Sequence, residues 1–230
     1  MNWLIIEDAL KDRSGHWLEF VNTFRDGLAD LGDQVTVLGP CDAVPEIIQS
    51  AAVMPLLPQS VWRREKDAGY LIKKIVFLAR WIVLTVATVR REVRIRTPEV
   101  IFVPTVGIPH LIAWYLLITF FLPRKPRILL YFMASPVRQR VSGEYQVLGI
   151  GGRLFFFLLK RLAHRSRAGK LILATEALPL STALAAMSGA AFHTLPQPVN
   201  KLFSPEATTD SIDLIVVGSY GPARFEKGSD

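Results

Sequence analysis

One short glycine-containing segment near the start of the chain could bind an anion. This segment, Ser14 to His16, directly precedes a helical pattern. A helix N-terminus presents unpaired N–H groups and the positive end of a dipole to an anion. The expected chemistry is therefore anion binding, although Gly15 could equally serve a tight strand-to-helix turn.

The other reactive side chains are widely scattered. Cys41 is the single cysteine, which fits a reducing compartment, and it has no evident base partner. Glu176 begins a predicted helix and could face a cleft, but the helix dipole explains a carboxylate there equally well. No two histidines share a helical turn, so their spacing predicts no metal site. The histidines are His16, His110, His164 and His193.

The segment Ser14 to His16 lies within a predicted βαβ unit at the start of the chain. Trp3 to Ile6 and Gln34 to Leu38 are short apolar runs that predict two strands. Apolar residues recur between them at three- and four-residue steps, which predicts an amphipathic helix. Ser14 is its predicted N-cap, and Gly32 is predicted to end it in a left-handed conformation. A right-handed crossover places both strands in one parallel sheet.

Strands and helices continue to alternate as far as Leu195. This order predicts an α/β fold with a doubly wound, Rossmann-like parallel sheet. Pro55 and Pro58 predict that the third strand is an edge strand or an irregular one, and Met133 to Gly152 is predicted to be a mobile loop. The further strands are predicted over Val53 to Leu57, Val100 to Val103, Arg127 to Phe132, Lys170 to Ala174 and Ala191 to Leu195. The further helices are predicted over Val44 to Ala52, Ile75 to Val89, His110 to Leu122, Arg153 to Arg167, and from a cap at Thr175 to Gly189.

The composition changes after Leu195, where a polar connector contains Pro196, Pro198 and Pro205. A new apolar strand then begins at Asp213. This change predicts a first domain over residues 1–198, a linker over 199–211 and the start of a second domain over 212–230. Because a lone strand and loop cannot make a domain, we expect this C-terminal domain to be truncated.

The net charge of +7 is unevenly distributed along the chain. Acids dominate up to Gln59, whereas Arg124 to Lys170 contains many basic residues and one acid. Because the basic residues alternate with apolar blocks and no nucleic-acid-binding motif accompanies them, an anionic membrane surface is the predicted partner rather than nucleic acid. The predicted membrane contacts are Lys73, Lys74, Arg80, Lys160 and Arg161.

The most apolar stretch, Ile75 to Val89, has three interpretations. It predicts a long helix that faces the core, or a helix that lies on a bilayer while its basic side chains snorkel. The third is a membrane span over Leu71 to Val89, which places Arg80 inside the bilayer at a cost of several kcal/mol. The N-terminus does not resemble a signal peptide. The predicted location is therefore the cytoplasm, with peripheral attachment to the inner face of the membrane.

The chain resembles the N-terminal half of GT-B glycosyltransferases, and most closely the retaining enzymes of family 4. Three segments carry the resemblance, which covers essentially the whole chain: SGHWLEFVNTFRDGLADLGDQVTVL, TPEVIFVPT, and HTLPQPVNKLFSP with DLIVVGSYGPARFEKGSD. The resemblance implies that the donor diphosphate is bound by Gly15, Arg224 and Lys227. It also implies an acceptor-side cleft with Ser14, His16, Ser135 and Glu176.

The implied reaction transfers a hexose from a nucleotide-diphosphate sugar to a lipid-linked or polysaccharide acceptor at the membrane surface. It requires no metal and no cofactor, and its catalytic carboxylates are expected beyond Asp230, so that the chain alone is expected to be inactive. This sequence departs from the family at Ser14, where glycine is usual, after the fifth strand, where a histidine is usual, and in a longer loop after Gly218. The alternative function is a non-catalytic peripheral membrane-binding module.

Overall fold

A parallel sheet with helices on both faces forms the framework of the protein. The computed structural model describes residues 1–13, 16–62, 70–122, 126–134, 136–139, 144–166 and 170–196, all within one compact unit, Met1–Val199. The strands are β1 (Asn2–Ile6), β2 (Gln34–Pro40), β3 (Val53–Leu57), β4 (Val100–Val103), β5 (Arg127–Phe132), β6 (Val137–Gln139), β7 (Tyr145–Val147), β8 (Leu171–Thr175) and β9 (His193–Thr194). The helices are α1 (Trp17–Asp30), α2 (Pro45–Ser50), α3 (Tyr70–Arg96), α4 (Ile108–Leu116), α5 (Gly149–Ser166) and α6 (Leu178–Ser188). The linker predicted over 199–211 and the second domain predicted over 212–230 lie outside the described residues.

The sheet order is β3-β2-β1-β4-β5-β8-β9, and all neighbouring strands are parallel. The chain first moves outward from β1 to β2 and β3, and α3 then returns it to β4 on the other side of β1. The direction in which successive strands are added to the sheet therefore reverses between β1 and β4. This topology confirms the predicted doubly wound α/β fold.

Alternate side chains along each strand enter two separate cores, as the pleat of a strand requires. Leu4, Ile101 and Leu130 face one core, which also contains buried residues of α3, α4, α5 and α6. Ile5 and Phe102 face the other core, to which α1 and α2 contribute. Burial of both faces explains why the strands have continuous apolar runs rather than alternating polar residues.

Most predicted elements are present, and β3 is confirmed as an edge strand with an irregular register beside Gly39 and Pro40. Gly32 follows the last turn of α1 with φ +79, as predicted for a left-handed helix end. His16 occupies the N-cap position of α1, whereas the predicted cap, Ser14, lies outside the described residues. Thr175 was wrongly predicted to cap the last helix, because it ends β8 and its hydroxyl donates to the carbonyl of Ala177.

The segment after the fifth strand also differs from its prediction as a loop. Strands β6 and β7 pair in an antiparallel ladder, and α5 begins at Gly149 rather than at Arg153. A three-residue strand is too short for a hydrophobic period to reveal it in the sequence. Helix α4 continues into a π-helical turn over Leu117–Phe121, so that the predicted helix to Leu122 is one residue too long.

Helix α3 is about 40 Å long at 1.5 Å per residue, whereas a five-residue strand spans only about 17 Å. Among its described side chains, which start at Ile72, the buried ones begin at Trp81 and recur through Thr85, Val89 and Val93. Side chains from Ile72 to Arg80 are exposed or partly exposed. The helix therefore combines a core-facing C-terminal part with an exposed N-terminal part. Among all described helices, none is long and apolar enough to cross a membrane.

Two glycines provide a matched test of backbone conformation. A Cβ atom at Gly27 or at Gly189 would meet no atom within 4 Å, so packing is equal at the two sites. Gly189 ends α6 with φ +69, and we expect Gly189→Ala to destabilise the fold by about 1 kcal/mol. Gly27 lies inside α1, and we expect Gly27→Ala to stabilise it by about 0.5–1 kcal/mol. Urea unfolding measures both; changes of equal sign would contradict this explanation.

Candidate functional site

Polar residues cluster at the carboxyl ends of β1 and β4, between which the order of strand addition reverses. Glu7 and Asp8 directly follow β1, and Thr105 follows β4 by two residues. These strands are neighbours in the sheet, so their ends meet at one edge. Open doubly wound sheets bind ligands outside the carboxyl ends of their strands at this switch point. This edge is therefore the candidate site.

Glu7 is a buried carboxyl group whose two oxygens both accept hydrogen bonds. Oε1 accepts from the backbone N–H of Ala9 at 2.8 Å, and Oε2 accepts from the Thr105 hydroxyl at 2.6 Å. Its exposed fraction is only 1%. Burial, followed by the negative charge of Asp8, raises the pKa of Glu7 to about 7, although both hydrogen bonds oppose this change. The folded protein therefore favours the protonated form of Glu7 more strongly than water does.

Asp8 links the segments that follow three strands at the same edge. Its Oδ1 accepts from the His110 ring nitrogen Nε2 at 2.6 Å and from the Trp62 indole nitrogen at 3.2 Å. Its Oδ2 accepts from the backbone N–H of Val61 at 3.0 Å. The carboxylate therefore joins the loops after β1 and β3 to the first turn of α4, which follows β4. Asp8 is thus a structural centre of the site.

His110 lies in the first turn of α4, with both ring nitrogens engaged. The backbone N–H of Gly107 donates to Nδ1 at 3.2 Å, so the hydrogen-bond network places the ring proton on Nε2, toward Asp8. Burial lowers the pKa of His110, but the charge and hydrogen bond of Asp8 outweigh it, so the net change is upward. Protonation of Nδ1 would also displace the Gly107 N–H. The indole of Trp81 packs edge-on against the ring at 5.0 Å.

Trp62 covers this cluster on its outer side. Its indole stacks on the His110 ring with centroids 5.8 Å apart and an angle of 20°. Its backbone N–H donates to the Ser60 hydroxyl, and the Ser60 N–H donates to Asp42 Oδ1. The tryptophan is nevertheless 50% exposed. The buried carboxylates of the cluster already accept hydrogen bonds from protein donors. The cluster is therefore a rigid support beneath an exposed aromatic ring.

Among the acceptor-side residues predicted from the sequence, the structure describes only His16 and Glu176. His16 precedes α1, its ring packs on Trp17 at 4.5 Å, and its Nε2 is buried with no hydrogen-bond partner. Glu176 follows β8, where its charge adds to burial in raising the pKa of Tyr131. Helix α1, which follows His16, packs through Phe20 against Tyr131 of β5 at 5.6 Å, in the same core that contains Ala174 of β8. The other predicted residues, Ser14, Gly15, Ser135, Arg224 and Lys227, lie outside the described residues.

The predicted membrane contacts lie on two helices. Lys73, Lys74 and Arg80 are exposed on the N-terminal part of α3. Lys160 and Arg161 are exposed on α5, where the Arg161 guanidinium lies over the Phe157 ring at 5.4 Å. Helix α4 packs against both helices, so α3 and α5 lie in one layer on the same face of the sheet.

Solved structures similar to this chain include several glycosyltransferases. The glycosyltransferase of kitacinnamycin is 11% identical with a TM-score of 0.48, over 87% of this chain and 52% of that chain. SsfS6, a glycosyltransferase from Streptomyces sp. SF2575, is 13% identical with a TM-score of 0.41, over 79% of this chain and 51% of that chain. CalG4, the calicheamicin glycosyltransferase, is 11% identical with a TM-score of 0.43, over 84% of this chain and 52% of that chain. The present chain spans about half the length of these structures.

At these identities the similarity concerns the fold alone. No family model matches the sequence, and no curated protein matches it. Across the described ranges, no group of three or more His, Cys, Asp or Glu side chains could hold a metal ion. The need for a metal or cofactor therefore stays a matter of prediction.

Sequence reasoning missed Glu7, Asp8, Thr105 and Trp62, and it treated His110 as an isolated histidine. One signal was available: Glu7 and Asp8 end an apolar strand, and Thr105 follows another strand. Adjacent placement of β1 and β4 would have brought these residues together at one sheet edge. No comparable sequence signal points to Trp62, which is placed by hydrogen bonds from a different loop.

Proposed function

We propose that this chain is the acceptor-side domain of a GT-B glycosyltransferase that transfers a hexose from a nucleotide-diphosphate sugar. The observation that carries the proposal is the anchored polar cluster at the switch point of a doubly wound parallel sheet. Ligands of such sheets bind at this edge. The resemblance to family 4 enzymes supports a ligand site at the same edge, because the first of its three segments begins at Ser14, which follows β1 in the chain.

In this proposal Gly15, Arg224 and Lys227 bind the donor diphosphate, as the resemblance implies. Arg and Lys would neutralise the charge that develops on the leaving diphosphate, and preorganised cations are effective in a cleft with little water. The reaction is retaining and uses no metal. The acceptor lies on the side of Ser14, His16, Ser135 and Glu176.

A lipid-linked or polysaccharide acceptor at the inner face of a membrane is supported by exposed apolar residues near the same edge. Trp81 contacts His110 beside the cluster, so the preceding turns of α3 lie beyond the carboxyl edge of the sheet. Ile72 is 75% exposed and Val76 is 62% exposed on these turns. Ile150, at the start of α5, is 86% exposed, and its helix begins at the same edge. Apolar side chains flanked by Lys and Arg are typical of contact with an anionic bilayer.

We expect the double variant Lys73→Ala/Arg80→Ala to bind anionic vesicles about 30-fold more weakly. Each basic residue near such a surface contributes about 1 kcal/mol, and tenfold in affinity corresponds to about 1.4 kcal/mol. Co-sedimentation with vesicles that contain phosphatidylserine measures the change. The matched control is Arg91→Ala/Arg94→Ala, which removes the same charge from exposed positions at the opposite end of α3. Equal losses in the two double variants would contradict a contact at the N-terminal part of α3.

Nucleotide release tests the enzymatic proposal directly. The complete gene product is incubated with membrane lipids and with UDP-, GDP-, TDP- and ADP-linked hexoses, and the free nucleoside diphosphate is measured. We expect release from at least one donor, dependent on the added lipid or saccharide. Absence of release from every donor would contradict the proposal.

A non-catalytic peripheral membrane module is the second candidate function. The exposed apolar residues of α3 and α5 favour it, because they support bilayer contact without any catalysis. The two candidates differ in nucleotide affinity. Binding to anionic vesicles with no affinity for any nucleotide sugar would favour the module, whereas vesicle binding together with donor turnover would favour the enzyme.

A further inference from the structure

Trp62 is held in a fixed orientation at the candidate site. Its indole N–H donates to Asp8 Oδ1 at 3.2 Å, and its backbone N–H donates to Ser60 Oγ at 3.3 Å. Its ring stacks on the buried ring of His110. The exposure of a single apolar side chain is ordinary on a protein surface. Trp62 differs because a buried carboxylate fixes an aromatic ring that remains half exposed at the ligand-binding edge of the sheet.

Among the residues that the structure describes, the charges near Trp62 distinguish between the ligands that could stack on it. Two hydrogen bonds link it through Ser60 to the partly exposed carboxylate of Asp42, and its indole N–H donates to the buried carboxylate of Asp8. These negative charges repel a phosphate, whereas the partly exposed Asp42 can accept a hydrogen bond from a hydroxyl group. The face of an aromatic ring carries partial negative charge, which attracts the C–H groups on the apolar face of a pyranose. A neutral sugar ring fits this environment better than a nucleotide.

We propose that Trp62 is the aromatic platform on which a sugar ring of the acceptor stacks, with Asp42 beside it as a hydrogen-bond acceptor for a hydroxyl group. This inference rests on the proposed function. It specifies that the end of the acceptor that receives the hexose is a sugar ring. The network from Asp8 positions the ring. Stacking on an immobile tryptophan avoids the entropy loss of ordering a flexible side chain.

NMR titration tests the platform in the full 230-residue chain without any need for turnover. The indole N–H signal of Trp62 is assigned in ¹⁵N-labelled protein by its loss in Trp62→Phe. Methyl β-D-glucopyranoside, methyl β-D-galactopyranoside and methyl α-D-mannopyranoside are titrated separately, and UMP and GMP serve as nucleotide probes. We expect at least one pyranoside to shift the Trp62 signal saturably. The signals of Trp3, Trp17, Trp81 and Trp114 should move several-fold less.

Saturation-transfer measurements on the sugar extend the test to variants. Trp62→Ala should weaken pyranoside binding about tenfold, whereas Trp62→Phe, which keeps a ring over His110, should remain within about threefold. Leu31→Ala, an exposed apolar site at the far end of α1, is the control that should leave binding unchanged. Circular dichroism verifies that each variant is folded.

The platform is overturned if no pyranoside shifts the Trp62 signal, if all five indole signals shift equally, or if only the nucleotides shift it. Its failure is distinguishable from failure of the proposed enzyme. Nucleotide release with an acceptor KM that Trp62→Ala leaves unchanged would contradict the platform alone. Saturable pyranoside binding without any nucleotide release would contradict the transferase alone.

Discussion

Replacement of Asp8 by alanine is expected to lower the free energy of unfolding by about 3–5 kcal/mol, because it removes a buried carboxylate that accepts three hydrogen bonds, and hydrogen bonds to a charged group contribute about 1.5–3 kcal/mol each. The change leaves the His110 Nε2–H, the Trp62 indole N–H and the Val61 N–H without their acceptor. The first of these donors is buried, and a buried unpaired donor loses the full free energy of its hydration. Urea unfolding followed by circular dichroism measures the difference.

Two further variants separate the role of Asp8 from a general effect of charge. Asp26→Ala removes an exposed acid of α1, which pairs with Arg25, and should change stability by less than about 1 kcal/mol. Asp8→Asn keeps one oxygen that can accept from His110 and should fall between wild type and Asp8→Ala. A loss below about 1 kcal/mol for Asp8→Ala would show that the cluster does not hold these two loops and the first turn of α4 together.

Stability is expected to decrease as pH rises from about 5 to 8, and Glu7 should account for a loss on the order of 3 kcal/mol. The pKa of Glu7 rises from 4.5 to about 7 in the folded protein, chiefly because of burial. In this interval the folded state keeps the proton that the unfolded state releases. Each increment of pH therefore favours the unfolded state. This direction is opposite to that of an ordinary salt-bridged carboxylate.

The variant Glu7→Gln isolates this contribution. A neutral amide can still accept from the Ala9 N–H through its oxygen and can donate to the Thr105 hydroxyl through its nitrogen. We expect the variant to match wild type near pH 5 and to exceed its stability near pH 8. The raised pKa of His110 acts in the same direction, since a protonated histidine also favours the folded state at lower pH. Parallel pH profiles for wild type and Glu7→Gln would contradict the assignment to Glu7.

The fold could be predicted from the sequence because its signals are local. The apolar runs at β3, β4 and β5 match the observed strands, and Gly32 follows the helix it was predicted to end. Elements with weak local signals were less predictable. The β6–β7 hairpin has strands of only three residues, and the start of α6 depends on how far β8 extends toward Thr175.

The candidate site could be predicted only in part, because its residues are far apart in the chain. Asp8 and His110 are separated by 102 residues, and Glu7 and Thr105 by 98. Neither residue type nor spacing reveals such pairs. His110 was correctly recognised as lacking a second histidine on its helical turn, but its true partner is a carboxylate on another loop. The predictions for Gly15, Arg224 and Lys227 remain predictions.

The sequence by itself determined the doubly wound α/β fold and the bounds of β3, β4 and β5, because the hydrophobic period acts over a few residues. Only the tertiary structure showed that β1 and β4 are neighbours, at the point where the order of strand addition reverses. Their adjacency brings Glu7, Asp8, Thr105 and His110 to one edge. It also decided that Trp62 stands half exposed above them. The physical reason is burial: desolvation raises the pKa of Glu7 and makes each hydrogen bond of Asp8 matter, and burial depends on contacts that the chain makes only when it is folded.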